Sequence, residues 1–402
     1  MSRQLKRKKL PDIKEKVANS QPDRVADKLG SVSRVLKAEY TKKDSAPWVI
    51  AYSGGKDSTL LLHLVWEVLL ALPEKRRNRE VHVIGNDTLV ESPLVINHLK
   101  RSMEVIRKAS KKNGLPIQTH LTEPYVDQTF WVNVIGRGYI PPTRNFRWCT
   151  DRMKIVPTDR LLESLVSEYE RVNLLIGTRR SESQNRRTSM KKHGVQADTM
   201  NPHDSIDGCF LFAPLADLDD EDVWKILIQR KPPWGGTHRN LITLYRNAGG
   251  GECPLVLTKE DAPSCGTTSP RFGCWTCTVV AKDRSMRGVI DSGHKDHEKL
   301  ESLADFREWL IELREDDNNR LPVRRDGKTK FRTNKTRVMG PFRIEVREKI
   351  LFRLKKLQKQ IGEVLITPSE IEVIKDIWWR DQIREDARQV FQKNVGLEDA
   401  IL

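Results

Sequence analysis

Between Pro47 and about Ala216, short apolar runs alternate with longer stretches whose apolar residues recur at helical spacing. The runs Trp48–Tyr52, Val81–Gly85, Ile117–Leu121, Val172–Ile176 and Phe210–Phe212 are strand candidates, the first with the residue types of a buried strand. Between them the pattern predicts helices over Ser58–Leu72, Pro93–Lys112 (stopped by Gly114) and Pro157–Tyr169. The first of these is apolar almost all round, as expected of a buried helix. Alternating units of this kind imply an α/β fold, a mostly parallel, twisted sheet with helices on both faces. Ligands in such sheets sit beyond the carboxyl ends of the strands.

Outside that region the pattern changes. Residues before Pro47 are polar, with Lys6-Arg7-Lys8-Lys9 near the start and one amphipathic stretch from Val32 to Tyr40. Such a basic run reads first as a solvated tail, with a nucleic-acid contact as the alternative. Asp219-Asp220-Glu221-Asp222 supplies an N-cap and an acidic first turn for a further helix. From Pro232-Pro233-Trp234-Gly235-Gly236 onward the chain is loop-rich and holds four of its six cysteines. The last third returns to helical patterning at Leu303–Arg314 and Glu345–Ile361. Thr367-Pro368-Ser369-Glu370 then forms a capping box with proline at the first helical position. The organisation expected is a basic extension (1–46), an α/β domain (47–230), a cysteine-rich segment (231–290) and a helical C-terminal region (291–402).

The first strand and helix are joined by Ser53-Gly54-Gly55-Lys56-Asp57-Ser58. Two glycines let the backbone turn sharply and approach a ligand closely. The turn aims N–H groups and the positive end of a helix dipole at one point. Lys56 adds a charge, and Ser53 and Ser58 add hydroxyls. An oligophosphate is the natural occupant. The spacing is not the Walker pattern, which places four residues between its first glycine and its Gly-Lys pair.

Strand ends supply the remaining candidates. Asp87 and Thr88 follow the second strand, and Asp87 suits magnesium or a ribose hydroxyl. Gly177, Arg179 and Arg180 follow the fourth, and either arginine suits phosphate or carboxylate. Cys149 stands beside Arg147, Arg152 and Lys154, neighbours that favour a reactive thiolate; the alternative is a small buried packing residue. Cys209, next to Phe210-Leu211-Phe212, reads as packing.

Cys253, Cys265, Cys274 and Cys277 fall in an irregular stretch with little means of building its own core. A metal centre would supply cross-links there. Only one C-x-x-C pair is present, whereas a zinc ribbon usually offers two. One pair plus two separated thiolates suits a cubane 4Fe-4S cluster better, with structural zinc or no metal as the alternatives.

Lys+Arg 71 against Asp+Glu 55 gives a net charge of +16, which favours a polyanionic partner. A basic loop (Arg320, Arg324, Arg325, Lys328, Lys330, Arg332, Lys335, Arg337) reads either as solvated or as a contact for a phosphate backbone. No apolar run reaches the length of a membrane span, and nothing resembles a signal peptide, so a cytoplasmic protein without a membrane partner is expected.

Ser53-Gly54-Gly55-Lys56-Asp57-Ser58 resembles the pyrophosphate loop of ATP pyrophosphatases, which have the adenine nucleotide alpha hydrolase-like fold. Together with Asp87-Thr88-Leu89-Val90-Glu91, Phe130-Trp131, Phe146-Arg147-Trp148-Cys149-Thr150, Gly251-Glu252-Cys253-Pro254, Pro263-Ser264-Cys265-Gly266 and Arg271-Phe272-Gly273-Cys274-Trp275-Thr276-Cys277, the chain resembles the DndC family of DNA phosphorothioation sulfurtransferases. These are relatives of the phosphoadenylylsulfate (PAPS) reductases. The resemblance implies ATP with Mg2+ and a 4Fe-4S cluster as cofactors. It implies double-stranded DNA, a cysteine desulfurase and other phosphorothioation proteins as partners. Lys56, Asp57 and Cys149 become candidate catalytic residues for replacing a DNA phosphate oxygen by sulfur. A PAPS-type reductase and an iron–sulfur tRNA thiolase are the rival readings.

Overall fold

The computed structural model of the chain describes residues 22–247, 273–291 and 294–398. These fall into two compact units. The first lies within Met1–Gly85, His98–His120 and Leu162–Thr243, and the second within Asn86–Asn97, Leu121–Leu161 and Leu244–Leu402.

The first unit is built on a six-stranded sheet. Helix α1 (Pro22–Tyr40) precedes β1 (Trp48–Ala51), which turns into α2 (Lys56–Ala71). β2 (Val81–Asn86), α3 (Pro93–Lys112), β3 (Ile117–Thr122), α4 (Val156–Tyr169) and β4 (Val172–Leu175) follow. Then come α5 (Gln184–Lys192), β5 (Met200–Pro202), β6 (Cys209–Phe212), α6 (Asp220–Gln229) and α7 (Arg239–Asn247). The strand order is β3-β2-β1-β4-β6-β5. β1 pairs in parallel with β2 and β4, and β4 with β6, as the alternating pattern implies. β1, β2 and β4 are buried along their whole length, which explains why they read as continuous apolar runs rather than alternating ones.

β5 has no counterpart in the sequence reading. Met200-Asn201-Pro202 carries no strand pattern, and only antiparallel pairing with β6 makes it a strand. It sits at the sheet edge, where proline's missing N–H costs nothing. The N-terminal extension is likewise more ordered than expected, because α1 spans Pro22–Tyr40 rather than its last turns alone. Lys28 of α1 pairs with Asp219, at 3.2 Å, and with Asp222 at the start of α6.

The second unit is helical around an aromatic core. α8 (Arg284–Asp291), α9 (His297–Glu315), a short hairpin of β7 (Lys330–Phe331) and β8 (Arg337–Val338), α10 (Ile344–Ile361) and α11 (Pro368–Glu398) complete the chain. Trp131 packs against Trp275 at 5.8 Å and Phe306 at 5.9 Å, and Phe130 stacks on Trp148 at 5.6 Å. The aromatics are therefore packing groups, and they fix the backbone on either side of them. The capping box is present: the Glu370 N–H donates to Thr367 Oγ1 at 3.3 Å, and the Thr367 N–H donates to Glu370 Oε2 at 2.8 Å.

Candidate active site

In the first unit, β1 lies between β2 and β4, so successive βα units leave it in opposite directions. Doubly wound sheets bind ligands at such a switch point. The loops after β1 and β4 meet there. An added Cβ at Gly177 would stand 2.9 Å from the Asp57 carbonyl carbon and 3.1 Å from the Ser58 nitrogen. Only glycine allows that approach.

Gly54 has φ +72°, a left-handed conformation that favours glycine. Gly55 caps α2 with extended backbone and no side-chain cap bond. The hydroxyls knit the turn together. Ser58 Oγ donates to the Gly55 carbonyl at 3.1 Å, and Ser53 Oγ lies 3.2 Å from Ser58 Oγ.

Two buried cations then alternate with two carboxylates. Lys56 Nζ lies 3.2 Å from Asp57 Oδ2 and 3.0 Å from Asp220 Oδ1. Arg179 reaches the same pair, with Nε 2.5 Å from Asp57 Oδ1 and Nη2 2.9 Å from Asp220 Oδ1, while Nη1 donates to Ser181 Oγ at 3.0 Å. Both cations are almost wholly buried, at 1% and 0% exposure. Holding them there without the carboxylates would cost several kcal/mol, on the order of that for any unpaired buried ion. The group is neutral as a whole. Mg2+ is commonly held by one or two carboxylates plus substrate phosphates, and Asp57 and Asp220 fit that donor set.

Arg180 does not belong to this group. It pairs with Asp217 and donates to the Val195 carbonyl at 2.7 Å. Asp220 does belong, although the sequence marked it only as part of an acidic helix start. Asp219 and Asp222 form the capping box of α6, which leaves Asp220, between them, for the cations.

Asp87 and Thr88 lie in the second unit, on the loop that leaves β2. The Cys274–Cys277 turn is zipped onto that loop. Glu91 and Cys274 form an antiparallel bridge, and the Trp275 N–H donates to the Val90 carbonyl at 3.0 Å. Trp275, buried in the aromatic core, anchors the turn between its two cysteines. Cys274 Sγ lies 3.4 Å from Thr88 Oγ1 and 3.6 Å from Glu91 Oε1, and Lys154 Nζ is 3.2 Å from the same Glu91 oxygen. Glu91 Oε2 is buried without a hydrogen-bond partner among the described residues. Asp87 itself turns inward on its own loop, accepting the Leu89 N–H at 2.8 Å.

Cys149 precedes a π turn over Asp151–Ile155, which runs on into α4. Asn86 Nδ2 donates to the Lys154 carbonyl at 2.9 Å, and the turn brings Lys154 to Glu91. Here the structure corrects the sequence argument. Burial pushes the Cys149 thiol up to about 12, and nearby Cys277 adds to the shift. Lys154 and Arg147 act in the opposite direction and lose. Burial, then Glu91, also pushes Cys274 well above the ordinary thiol range. Cys209 is buried in β6, as expected of packing.

Cys253 and Cys265 lie outside the described residues. Among the described residues no three His, Cys, Asp or Glu side chains are arranged to hold a metal ion. Cys274 and Cys277 sit on one turn, with the Cys277 N–H 3.0 Å from the Cys274 carbonyl, and fit one edge of a cluster. A bound cation would also remove the penalty that keeps such buried thiols protonated.

Among the described residues no helix is long and apolar enough to cross a membrane. An uncharacterized protein of Methanocaldococcus jannaschii is 28% identical over 153 residues, 38% of this chain and 27% of its own length. The chain thus spans about a quarter of that relative. PAPS reductase from Candida auris, in its phosphate complex, aligns at 14% identity and TM-score 0.33 over 52% of this chain and 87% of its own. The U34-tRNA thiolase NcsA from Methanococcus maripaludis, with its 4Fe-4S cluster, aligns at 15% identity and TM-score 0.35 over 73% and 82%. Residues 47–280, more than half of the chain and the stretch carrying both groups of residues just described, match the family model of the phosphoadenosine phosphosulfate reductase domain, and the chain belongs to that family.

Proposed function

We propose that the chain is an ATP-dependent sulfurtransferase of the DndC type, which cleaves ATP to AMP and pyrophosphate so that a DNA phosphate oxygen can be replaced by sulfur. The observation that carries the reading is the Cys274–Cys277 turn, bridged to the loop after β2 at Glu91 and neighboured by Cys149. It gives a domain with an ATP-type loop a second centre, made for sulfur.

A phosphodiester oxygen is a poor leaving group and must be activated. Attack of that oxygen on the α-phosphorus of ATP breaks the α–β bond. Lys56, Arg179 and the start of α2 hold the departing pyrophosphate, and Asp57 and Asp220 would hold a Mg2+ ion that offsets its charge. Hydrosulfide then attacks the diester phosphorus, and AMP leaves with the original oxygen. That sequence needs no reductant. If sulfur arrives instead as a persulfide on Cys149, a thiol reductant must supply two electrons to release it. A cluster at Cys253, Cys265, Cys274 and Cys277 would supply a thiophilic centre for the sulfur. Double-stranded DNA is the substrate in this reading, with a cysteine desulfurase and further phosphorothioation proteins as partners.

Two measurements test it. Labelled ATP should yield AMP and pyrophosphate, and ADP as the main product would overturn the reading. Anaerobically purified protein should be brown, bleached by Cys274→Ser but not by Cys209→Ser; stoichiometric zinc in place of iron would overturn the cluster assignment. The family itself favours one alternative, reduction of a sulfonucleotide. Sulfite released from PAPS, with no requirement for ATP, would select that alternative.

A further inference from the structure

The basic loop of the second unit divides into an anchor and a tip. Arg320 donates to the carbonyls of Met339 and Gly340, the latter at 3.0 Å. Arg325 forms a two-pronged pair with Asp381 at 2.7 and 3.0 Å, and Arg347 shares the same carboxylate at 3.1 Å. The Phe342 N–H donates to the Gly138 carbonyl at 2.7 Å, and the Phe342 ring is wholly buried. Gly340 admits no side chain, because a Cβ there would overlap the Val323 carbonyl. These arginines hold the fold and are not available to a partner.

Beyond the anchor, β7 and β8 form an antiparallel ribbon, with Lys330 opposite Val338 and Phe331 opposite Arg337. Lys328, Lys330, Arg332, Lys335 and Arg337 are all exposed there. None of the five makes an ion pair among the described residues, and no Asp or Glu occurs between Asp326 and Glu345. Two cations of α10 lie over aromatic rings, Arg353 at 4.2 Å and Lys349 at 6.0 Å from Trp309; in the hairpin Arg337 does the same over Phe331 at 5.9 Å, and the other four do not among the described residues. Five cations without counterions on a rigidly based ribbon repel one another unless a polyanion lies between them.

We propose that this hairpin is the duplex-DNA contact, its ribbon entering the major groove and its five cations lying against the flanking phosphates. The proposal rests on the DNA reading above. The major groove of B-DNA admits a two-stranded ribbon, whereas the deep, narrow major groove of duplex RNA does not.

The test uses the full chain and a fluorescent 20-base-pair DNA of mixed sequence, titrated at several salt concentrations. Replacing all five cations by glutamine should flatten the slope of log K against log salt by about 0.9 for each phosphate that is no longer neutralised. A control variant, Lys349, Lys355, Lys356 and Lys359 to glutamine, should keep the wild-type slope. A hairpin variant with unchanged slope overturns this assignment but leaves the DNA reading standing, as does equal flattening by the control. Wild-type protein that fails to bind the duplex overturns both. Duplex RNA of the same sequence should show no hairpin-dependent slope, and one equal to that on DNA overturns the groove placement.

Discussion

The two candidate centres treat charge in opposite ways. The loop after β1 concentrates it, with Lys56 and Arg179 each held between Asp57 and Asp220 in a group that is neutral as a whole. The cysteine centre suppresses it, because burial keeps the Cys149 and Cys274 thiols protonated against the pull of Lys154. Both are buried, yet one holds paired charges, while in the other burial opposes charge on the thiols until a cation binds them. The difference lies in partners. A buried ion persists only where a countercharge is fixed beside it, and the cysteine centre offers Lys154 already engaged by Glu91.

That contrast is open to direct attack. If the centres divide the work, Cys149→Ser should abolish phosphorothioate formation in cells, followed by mass spectrometry of nuclease-digested DNA, while pyrophosphate release persists. Wild-type phosphorothioate levels would make Cys149 a packing residue, and a bleached variant would make it a cluster ligand. Lys56→Ala should lower AMP-forming ATP cleavage by on the order of 10²-fold or more, because it removes a preorganised charge from the phosphate site. Chromatography of labelled products reads that fall, and the visible spectrum should not change.

A smaller effect is expected where the two loops touch. Gly177→Ala forces a Cβ against Asp57 and Ser58, so kcat/KM for ATP should fall roughly tenfold as the loops part. Unchanged kinetics would show that the close approach is not needed. The smallest effect concerns His238, whose imidazole stacks on His63 at 5.9 Å. Burial first, then His63 and His98, lowers it to about 4. The unfolded chain therefore binds that proton more readily than the folded one. The contribution to stability is complete above the ordinary value near 6.5 and is lost as pH falls toward 4. Denaturation midpoints of wild type and His238→Phe should converge over that window, and parallel curves would exclude the histidine.

The parts of the fold legible in the sequence are those whose physics is local or periodic. Five of the six sheet strands are legible, and β1, β2 and β4 most plainly, since strands buried on both faces need apolar residues at every position. β5 was illegible, because three residues ending in proline become a strand only through β6. The glycine turn was legible for the same local reason, a backbone conformation that side chains forbid. Asp220 was not, because a helix start rich in acid explains itself by the dipole, and nothing local says which carboxylate turns inward.

By itself the sequence determined the α/β alternation, the glycine turn at Gly54 and Gly55, the aromatic packing and the caps at Asp219 and Thr367, each a matter of residue type and spacing. Only the tertiary structure decided which charges count. It gave Arg179 to the buried pair and Arg180 to Asp217, made Arg320 and Arg325 anchors rather than contacts, and buried Cys149 so that desolvation raises its thiol against the pull of its basic neighbours. Desolvation and pairing depend on what surrounds a group in space, and neighbours along the chain do not report it.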